Sequence, residues 1–193
     1  MAIIIPADLT LVTLRRGDRE LPQPWTTAHA VSVLRHASDL LKSRANIEFP
    51  LATCDAVVEG MPPDAAADAV DDAGYDFLAA QYKAGEGIRV LLVDRVVHAE
   101  LGGQSRQQAG VCVIAYSSDP AATSLRMAHE LGHLLALPHA DSGRSPRTGQ
   151  ESQTPAWMRN LMYSGSLNRA AEPTQTQVQA ARSSPLARRF GGG

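Results

Sequence analysis

One segment, residues 119–139, constrains the fold of this chain more than any other. It opens with an Asp-Pro pair, which is typical of a helix start because aspartate caps free backbone amides and proline fits the first helical position. The pattern predicts a helix over residues 120–135. His129 and His133 lie four residues apart on it, so their imidazoles leave the same face of the helix about one turn apart.

Histidines at this spacing can bind one zinc ion together, and Glu130 between them is placed to act as a general base. His139 follows beyond a turn, where it can supply a third ligand nitrogen. Three protein ligands leave one coordination position open, which distinguishes a catalytic zinc site from a structural one. The sequence therefore predicts a hydrolytic zinc site with His129, His133 and His139 as its ligands.

The composition is that of an ordinary globular protein, with 44% hydrophobic and 20% charged residues. A chain of 193 residues is long enough for one domain with a substantial core, or for two subdomains around a cleft. The net charge of −2 and the short Lys/Arg runs argue against a nucleic-acid partner or an electrostatic membrane anchor. No apolar run is long enough to cross a bilayer, so we expect no membrane insertion.

The first 19 residues lack the basic region, long apolar core and cleavage site of a signal peptide. A removed export segment, another export route and an intracellular protein are all compatible with this pattern; we expect an extracellular or exported protein. Cys54 and Cys112 are too few for a disulfide framework. Two reduced core thiols and a single disulfide both stay open at this point.

Apolar spacing, prolines and capping residues predict alternating strands and helices. The predicted strands cover residues 9–14, 47–58 with an interruption at Pro50, 88–97 and 111–116. The predicted helices cover residues 26–43, 63–83, 120–135 and 174–182, the last of them opened by a capping box. A Gly/Gln-rich loop at 102–110, a polar connection at 141–155 and a frayed tail at 188–193 complete the chain.

Two further groups of polar residues resemble ligand sets, but a structural interpretation is favoured for both. His29 and His36 border the apolar stripe of the first helix, where half-buried histidines are common. Four aspartates occur at helical spacing without the glycine-containing loop of a calcium site, so a solvated helix face is favoured and structural calcium is unsupported. These aspartates are Asp68, Asp71, Asp72 and Asp76.

The motif HELGHLLALPH at residues 129–139, together with NLMYSG at 160–165, resembles the metzincin metallopeptidases. Their pattern is HExxHxxGxxH followed by a tight turn that contains methionine. The resemblance implies an α+β, zincin-like fold: a twisted, mostly parallel sheet packed on helices, an active-site helix, a Met-turn and a short C-terminal helical subdomain. It implies a single catalytic domain over residues 1–193, with subdomains at 1–136 and 137–193.

Carried over to this chain, the resemblance assigns zinc binding to His129, His133 and His139, and the role of general base to Glu130. Met162 would lie beneath the metal as an apolar floor. The strand near 111–116, or the Gly-rich loop before it, would form the upper rim of the cleft, where an extended peptide or protein substrate could add as a strand. We expect a monomer with no nucleic-acid partner.

The chain departs from the metzincin pattern at two positions. Ala136 stands where the clan has glycine, at a bend that commonly needs positive φ; alanine can adopt it at a cost of about 1 kcal/mol. Ser164 stands where some members have a tyrosine two residues after the methionine, which favours the matrixin-like branch and a packing role for Tyr163.

The predicted function is a zinc-dependent endopeptidase. A zinc hydrolase of another amide substrate and a delivered effector or toxin protease stay open as alternatives. A non-catalytic binding module is disfavoured, because such a module has no chemical use for Glu130. If His139 is not a ligand, Glu151 or Glu172 is the expected replacement, and Asp141 is a weak candidate for orienting a ligand imidazole.

Overall fold

The structure, a computed structural model, describes residues 1–66, 68–97, 103–140, 160–163 and 173–191. Within these ranges the strands are β1 (Ile3–Ile4), β2 (Ala7–Arg16), β3 (Arg19–Glu20), β4 (Ile47–Glu48), β5 (Leu51–Gly60), β6 (Ile88–Val93), β7 (Gly103–Arg106) and β8 (Val111–Ala115). The helices are α1 (Thr27–Ala45), α2 (Asp72–Gln81), α3 (Pro120–Leu134), α4 (Gln175–Arg182) and α5 (Pro185–Phe190).

The main sheet is rich in parallel strands. Its long strands lie in the order β5, β2, β6, β8 and β7, and the short β3 pairs with the end of β2. The first four are mutually parallel, whereas β7 runs antiparallel to β8 at the edge of the sheet. A separate parallel pair joins β1 and β4. The predicted fold was α+β with a mostly parallel sheet; the structure confirms a mixed α/β fold with a sheet rich in parallel strands.

Both faces of the central strands are buried, as expected for parallel strands covered by helices. On β6, Val90 and Leu92 join one core with α1 and α3, while Leu91 and Val93 join a second core with α2. Helix α3 contacts α1, β7 and β8. This arrangement fixes α3, the helix that carries the histidine pair, between the sheet edge and α1.

Several local predictions are confirmed. Thr26 caps α1, Pro50 separates β4 from β5, and α3 begins at Pro120 behind the Asp119 cap. The predicted capping box is present at Thr174, where both reciprocal hydrogen bonds form. No described helix is long and apolar enough to cross a membrane. Both cysteines are free thiols, so the disulfide left open above is absent.

The prediction of a helix from residue 63 was wrong, because α2 begins only at Asp72. The guanidinium of Arg16 donates hydrogen bonds to the carbonyls of Pro63, Ala65 and Ala66, which holds this segment as a turn. The carboxylate of Asp71 then accepts from Gly74 and caps the true helix start. Tertiary contacts outweigh the helix propensity of the alanine-rich segment.

Two other local predictions were wrong. The Gly/Gln-rich segment predicted as a loop contains β7, which pairs with β8 over four residues. Of the tail predicted to fray over residues 188–193, residues 188–190 form the end of α5, whose cap is Ser184 and whose first residue is Pro185. Ala187 of α5 is fully buried in the core, so tertiary packing holds this terminal helix in place.

Candidate metal centre

Helix α3 places His129 and Glu130 inside the protein and leaves His133 partly exposed. The Asp119 carboxylate accepts hydrogen bonds from two amides of the first turn, which fixes the start of the helix. His129 is 7% exposed and Glu130 is 5% exposed, whereas His133 is half-buried. Polar side chains buried to this degree need partners, and the surrounding backbone supplies them for the imidazoles.

The end of α3 turns the chain toward His139. The amide of Ala136 donates to the carbonyl of His133, and the amide of Leu137 donates to the carbonyl of Gly132. This pair of hydrogen bonds defines a Schellman motif, in which the residue after the cap adopts the left-handed conformation. Ala136 has φ 63°, so the predicted positive φ at this departure from the metzincin pattern is confirmed.

The turn brings three imidazoles to one point. The Nε2 atom of His133 lies 3.1 Å from Nε2 of His129 and 3.0 Å from Nε2 of His139. Nitrogens bound tetrahedrally at the usual zinc distance lie about 3.3 Å apart. These two separations are close to those that a shared small cation requires, and the ligand atoms of all three histidines lie within 4.8 Å of one another.

Hydrogen bonds on the far side of two rings fix which nitrogen is protonated. Nδ1 of His129 lies 2.7 Å from the carbonyl oxygen of Leu161, and Nδ1 of His133 lies 2.8 Å from that of Leu137. Because a carbonyl only accepts, each Nδ1 must donate, and each neutral ring then presents a lone pair at Nε2. Lone pairs that face each other at 3.1 Å need a cation between them.

The environment favours the neutral form of His133. Burial lowers the pKa of this imidazole, the hydrogen bond to the Leu137 carbonyl opposes that effect, and neighbouring His139 lowers the pKa further. A neutral imidazole is the form that binds a metal ion. Among the described residues, His129, His133 and His139 are the group of side chains that could hold such an ion.

Met162 lies directly under the histidine-bearing helix and is fully buried. A Cβ added to Gly132 would lie 2.5 Å from Sδ of Met162, so a glycine is needed at this close approach. The backbone of Met162 is fixed from both sides: its carbonyl accepts from the amide of Ala140, and its amide donates to the side chain of Asn160. The sequence analysis predicted the burial of Met162 but not these two hydrogen bonds.

Asn160 ties the segment under the site to α4. Its side-chain amide donates to the Gln177 side chain, which belongs to the capping box of that helix. The next residue, Leu161, supplies the carbonyl that orients His129. No ligand pattern in the sequence marks these partners, because the groups that orient the imidazoles are backbone carbonyls. The capping box at Thr174 was the only sequence pattern that indicated a structured segment near these partners.

Glu130 faces the edge strand β7. A Cβ added to Gly103 would lie 2.9 Å from Cγ and 3.2 Å from Oε1 of Glu130, so the strand passes close against this side chain. Burial raises the pKa of Glu130 to about 7, and a hydrogen bond from the side chain of Ser105 opposes that rise. Glu130, the neighbour of His129 in the sequence, thus has a buried carboxyl group that lies against the edge strand.

The other polar groups considered in the sequence have structural roles. Asp71 caps α2, Asp72 and Asp76 pair with Arg106, and Asp68 pairs with an arginine of the neighbouring loop, so calcium stays unsupported. His36 is exposed. Asp141, Glu151, Ser164 and Glu172 lie outside the described residues, as does the predicted connection at 141–155.

His29 is likewise removed from the histidine cluster. Its half-buried ring packs at 5.0 Å from that of Trp25 and 5.4 Å from that of Tyr116. Aromatic packing of this kind accounts for its position beside the apolar stripe of α1, as the sequence interpretation expected.

The fold and the site together define a mixed α/β protein with a three-histidine centre on one helix and the turn behind it. No family model and no curated protein matches the sequence. Among 109 matching chains of solved structures is archaemetzincin from Methanopyrus kandleri. The likeness has a TM-score of 0.58 at 13% identity and covers 92% of this chain and 93% of that one. At this identity it shows that the two proteins share a fold.

Proposed function

We propose that this protein is a zinc-dependent endopeptidase, with zinc bound by His129, His133 and His139. One observation carries the proposal: three Nε2 atoms converge while carbonyl groups hold two of the rings in the tautomer that binds a metal. Nitrogen ligands in a set of three suit zinc, and this number is typical of catalytic rather than structural sites. The likeness to archaemetzincin, whose name places it among the metzincins, supports the same class.

Bound zinc would supply a Lewis acid that lowers the pKa of water to about 7 and polarises a substrate carbonyl. Glu130 is the general base: its carboxylate takes a proton from the attacking water and then transfers it to the leaving amine. Its nearly complete burial excludes bulk water from this proton transfer. Burial favours the neutral form of His133, which is the form that binds a metal ion.

The finer assignments belong to the same proposal. Met162 forms the apolar floor of the site in a Met-turn, and the catalytic domain spans residues 1–193 with its subdomain boundary after Ala136. The matrixin-like branch rests only on the sequence around Ser164; the likeness is to an archaemetzincin and gives that branch no support. Export and a monomeric state likewise stay predictions.

The substrate is proposed to be a peptide or protein segment bound in extended form. Strand β7 forms the rim that the sequence analysis placed near residues 102–116, and in the described part of the chain its only strand partner is β8. Its other edge therefore presents backbone groups to which a peptide can add as a further strand. This mode of binding selects extended amide chains, which favours a peptidase over a hydrolase of small amides.

The test combines metal analysis with cleavage of a mixed library of quenched fluorescent peptides. We expect one zinc per chain, cleavage that stops with a chelator and returns with zinc, and loss of cleavage in Glu130→Gln with zinc retained. His139→Ala should lose zinc, whereas His36→Ala, which replaces an exposed histidine of α1, should keep both zinc and activity. Zinc binding without cleavage of any peptide would instead favour a hydrolase of another amide.

A further inference from the structure

Strand β5 forms the edge of the main sheet opposite β7. In the described part of the chain its strand partner is β2, with which it pairs in parallel. Most of its 10 residues are exposed, among them Leu51 and Val58, whose exposed fractions are 41% and 47%. Edge strands are commonly short, or carry lysine or proline, which hinder the addition of a further strand. Strand β5 is long and contains neither residue, so its sequence does not protect its outer edge.

The pairing with β2 shows which backbone groups of β5 point outward. The amide of Met61 donates to the carbonyl of Arg15, so Met61 points its backbone groups toward β2. The register with β2 is continuous from Thr53 to Gly60, and successive residues of a strand point their backbone groups to alternate sides. The odd-numbered residues from 53 to 59 therefore bond to β2. The even-numbered residues from 54 to 58 direct their amides and carbonyls away from it.

The side chains of β5 differ in character on its two faces. Cys54 packs against the core that contains α1, and Ala56 lies on the same face. Val57 packs against the core that contains α2 and shares its face with Asp55 and Glu59. The strand contains no lysine or arginine, so this face carries two acidic residues four positions apart. One face of the edge is thus apolar and the other is acidic.

The two carboxylates favour a basic strand over a second copy of this chain. The Tyr82 hydroxyl donates to the Glu59 carboxylate and holds that side chain beside the strand. In antiparallel pairing of two copies, a register centred on Asp55 places this residue opposite itself, and a register centred on Val57 places it opposite Glu59. Like charges directly opposite each other destabilise a strand pair, whereas opposite charges stabilise it. Lysine or arginine at the facing positions therefore suits this edge.

We propose that the outer edge of β5 is a docking site for an extended segment of another protein, in which basic side chains alternate with apolar ones. The segment adds as a further strand and bonds to the outward backbone groups of β5. Its basic side chains lie beside Asp55 and Glu59, and its apolar side chains lie beside Cys54 and Ala56. Because β5 and β7 are at opposite edges of the sheet, this docking site is separate from the metal centre and independent of the proposed function.

The test measures the binding of a short blocked peptide of alternating lysine and valine by fluorescence anisotropy, with mass spectrometry to check that the peptide stays intact. A peptide with glutamate in place of lysine is the control. The lysine peptide should bind about tenfold tighter or more, and its affinity should fall as salt is raised. Asp55→Lys should weaken its binding about 2- to 10-fold. Asp39→Lys makes the same charge change on an exposed residue of α1 and should alter binding less than about twofold.

Two proline variants test the direction of the backbone groups. Ala56→Pro removes an amide that points away from β2, so Tm should change little while peptide binding falls about fivefold or more. Val57→Pro removes an amide that bonds to β2, so it should lower Tm much further. Equal losses of Tm in the two variants contradict the assigned direction and overturn the proposal. A peptide that binds Ala56→Pro and Asp55→Lys as tightly as the wild type also overturns it, because that peptide lies elsewhere on the protein.

Amide hydrogen exchange gives a second readout at single residues. The amide of Ala56 should exchange rapidly in the free protein and slowly with the peptide bound, whereas the amide of Val57 should exchange slowly in both states. Rapid exchange at Ala56 with the peptide bound overturns the proposal. Sedimentation of the wild type without peptide tests the competing occupant. A dimer that Ala56→Pro converts into a monomer overturns the choice of a basic partner, because the edge then pairs with a second copy of this chain.

Discussion

Replacement of Ala136 by glycine should raise the free energy of unfolding, although most alanine-to-glycine substitutions in a folded protein lower it. Ala136 has φ 63°, in the left-handed region where a Cβ costs an L-residue about 1–2 kcal/mol. Glycine removes that strain, and the greater freedom of glycine in the unfolded chain takes back roughly 0.4–1 kcal/mol. The methyl group of Ala136 is exposed, so no core contact is lost. The net gain therefore lies between about 0 and about 1.6 kcal/mol, with a midpoint of about 0.8 kcal/mol.

Ala121→Gly is the matched control, because it makes the same chemical change inside α3, rather than in the turn after it, with the opposite expected sign. Ala121 is exposed in the first turn of α3 and has ordinary helical geometry, so glycine there should cost about 1 kcal/mol. For a chain of this size, 1 kcal/mol shifts Tm by roughly 2–4 °C. Relative to the wild type, Tm should therefore rise in Ala136→Gly and fall in Ala121→Gly.

Both variants are best compared by calorimetry and urea unfolding in the presence of a chelator. A bound metal would add its own stabilisation to the folded state and obscure a difference of this size. A second series of measurements with zinc then tests whether the altered turn still places His139 where it can bind the metal. If Ala136→Gly melts below the wild type, as Ala121→Gly should, then the left-handed strain assigned to the Schellman turn is absent.

Three further predictions concern other parts of the structure. Asn160→Ala should lower zinc affinity about 10- to 100-fold in chelator competition, because it removes the hydrogen bonds that hold the segment whose carbonyl orients His129. Unchanged affinity would contradict this role of the Asn160 side chain. In the folded protein a disulfide reagent should label Cys54 well before Cys112, because Cys112 is fully buried and burial raises its pKa; equal rates contradict this. Burial, and then the hydrogen bond to Glu59, raise the pKa of Tyr82 to about 12. Because this pKa lies above the usual value of about 10, the protonated Tyr82 side chain stabilises the folded protein fully below about pH 10, and this contribution is lost as the pH rises to about 12. Urea unfolding across this window should therefore show a smaller alkaline loss for Tyr82→Phe than for the wild type.

Features of the sequence with a local physical cause could be predicted. The cap at Asp119, the break at Pro50 and the capping box at Thr174 depend on a few neighbouring residues, and each lies where expected. The strain at Ala136 could also be predicted, because a departure from glycine in a recognised motif identifies the φ that the backbone needs.

Features that depend on distant partners could not be predicted. Strand β7 has a glycine- and glutamine-rich sequence of low strand propensity and forms because β8 pairs with it. The start of α2 was placed too early because Arg16 binds the preceding carbonyls from a position far away in the sequence. The close approach of β7 to Glu130 was missed for the same reason, since only the pairing of β7 with β8 brings Gly103 against that side chain.

The choice of backbone carbonyls to orient two ligand imidazoles has a chemical consequence. A carboxylate in that position would donate negative charge to the ring and partly neutralise a bound cation, whereas a carbonyl fixes the tautomer and leaves the charge of the cation intact. The carbonyls belong to Leu137 and Leu161, on two segments joined by the hydrogen bond from Ala140 to Met162. The same hydrogen bond positions His139, the residue before Ala140. Ring orientation, the third ligand and the buried methionine are therefore linked through this backbone hydrogen bond, so a displacement of either segment should weaken metal binding at all three histidines together.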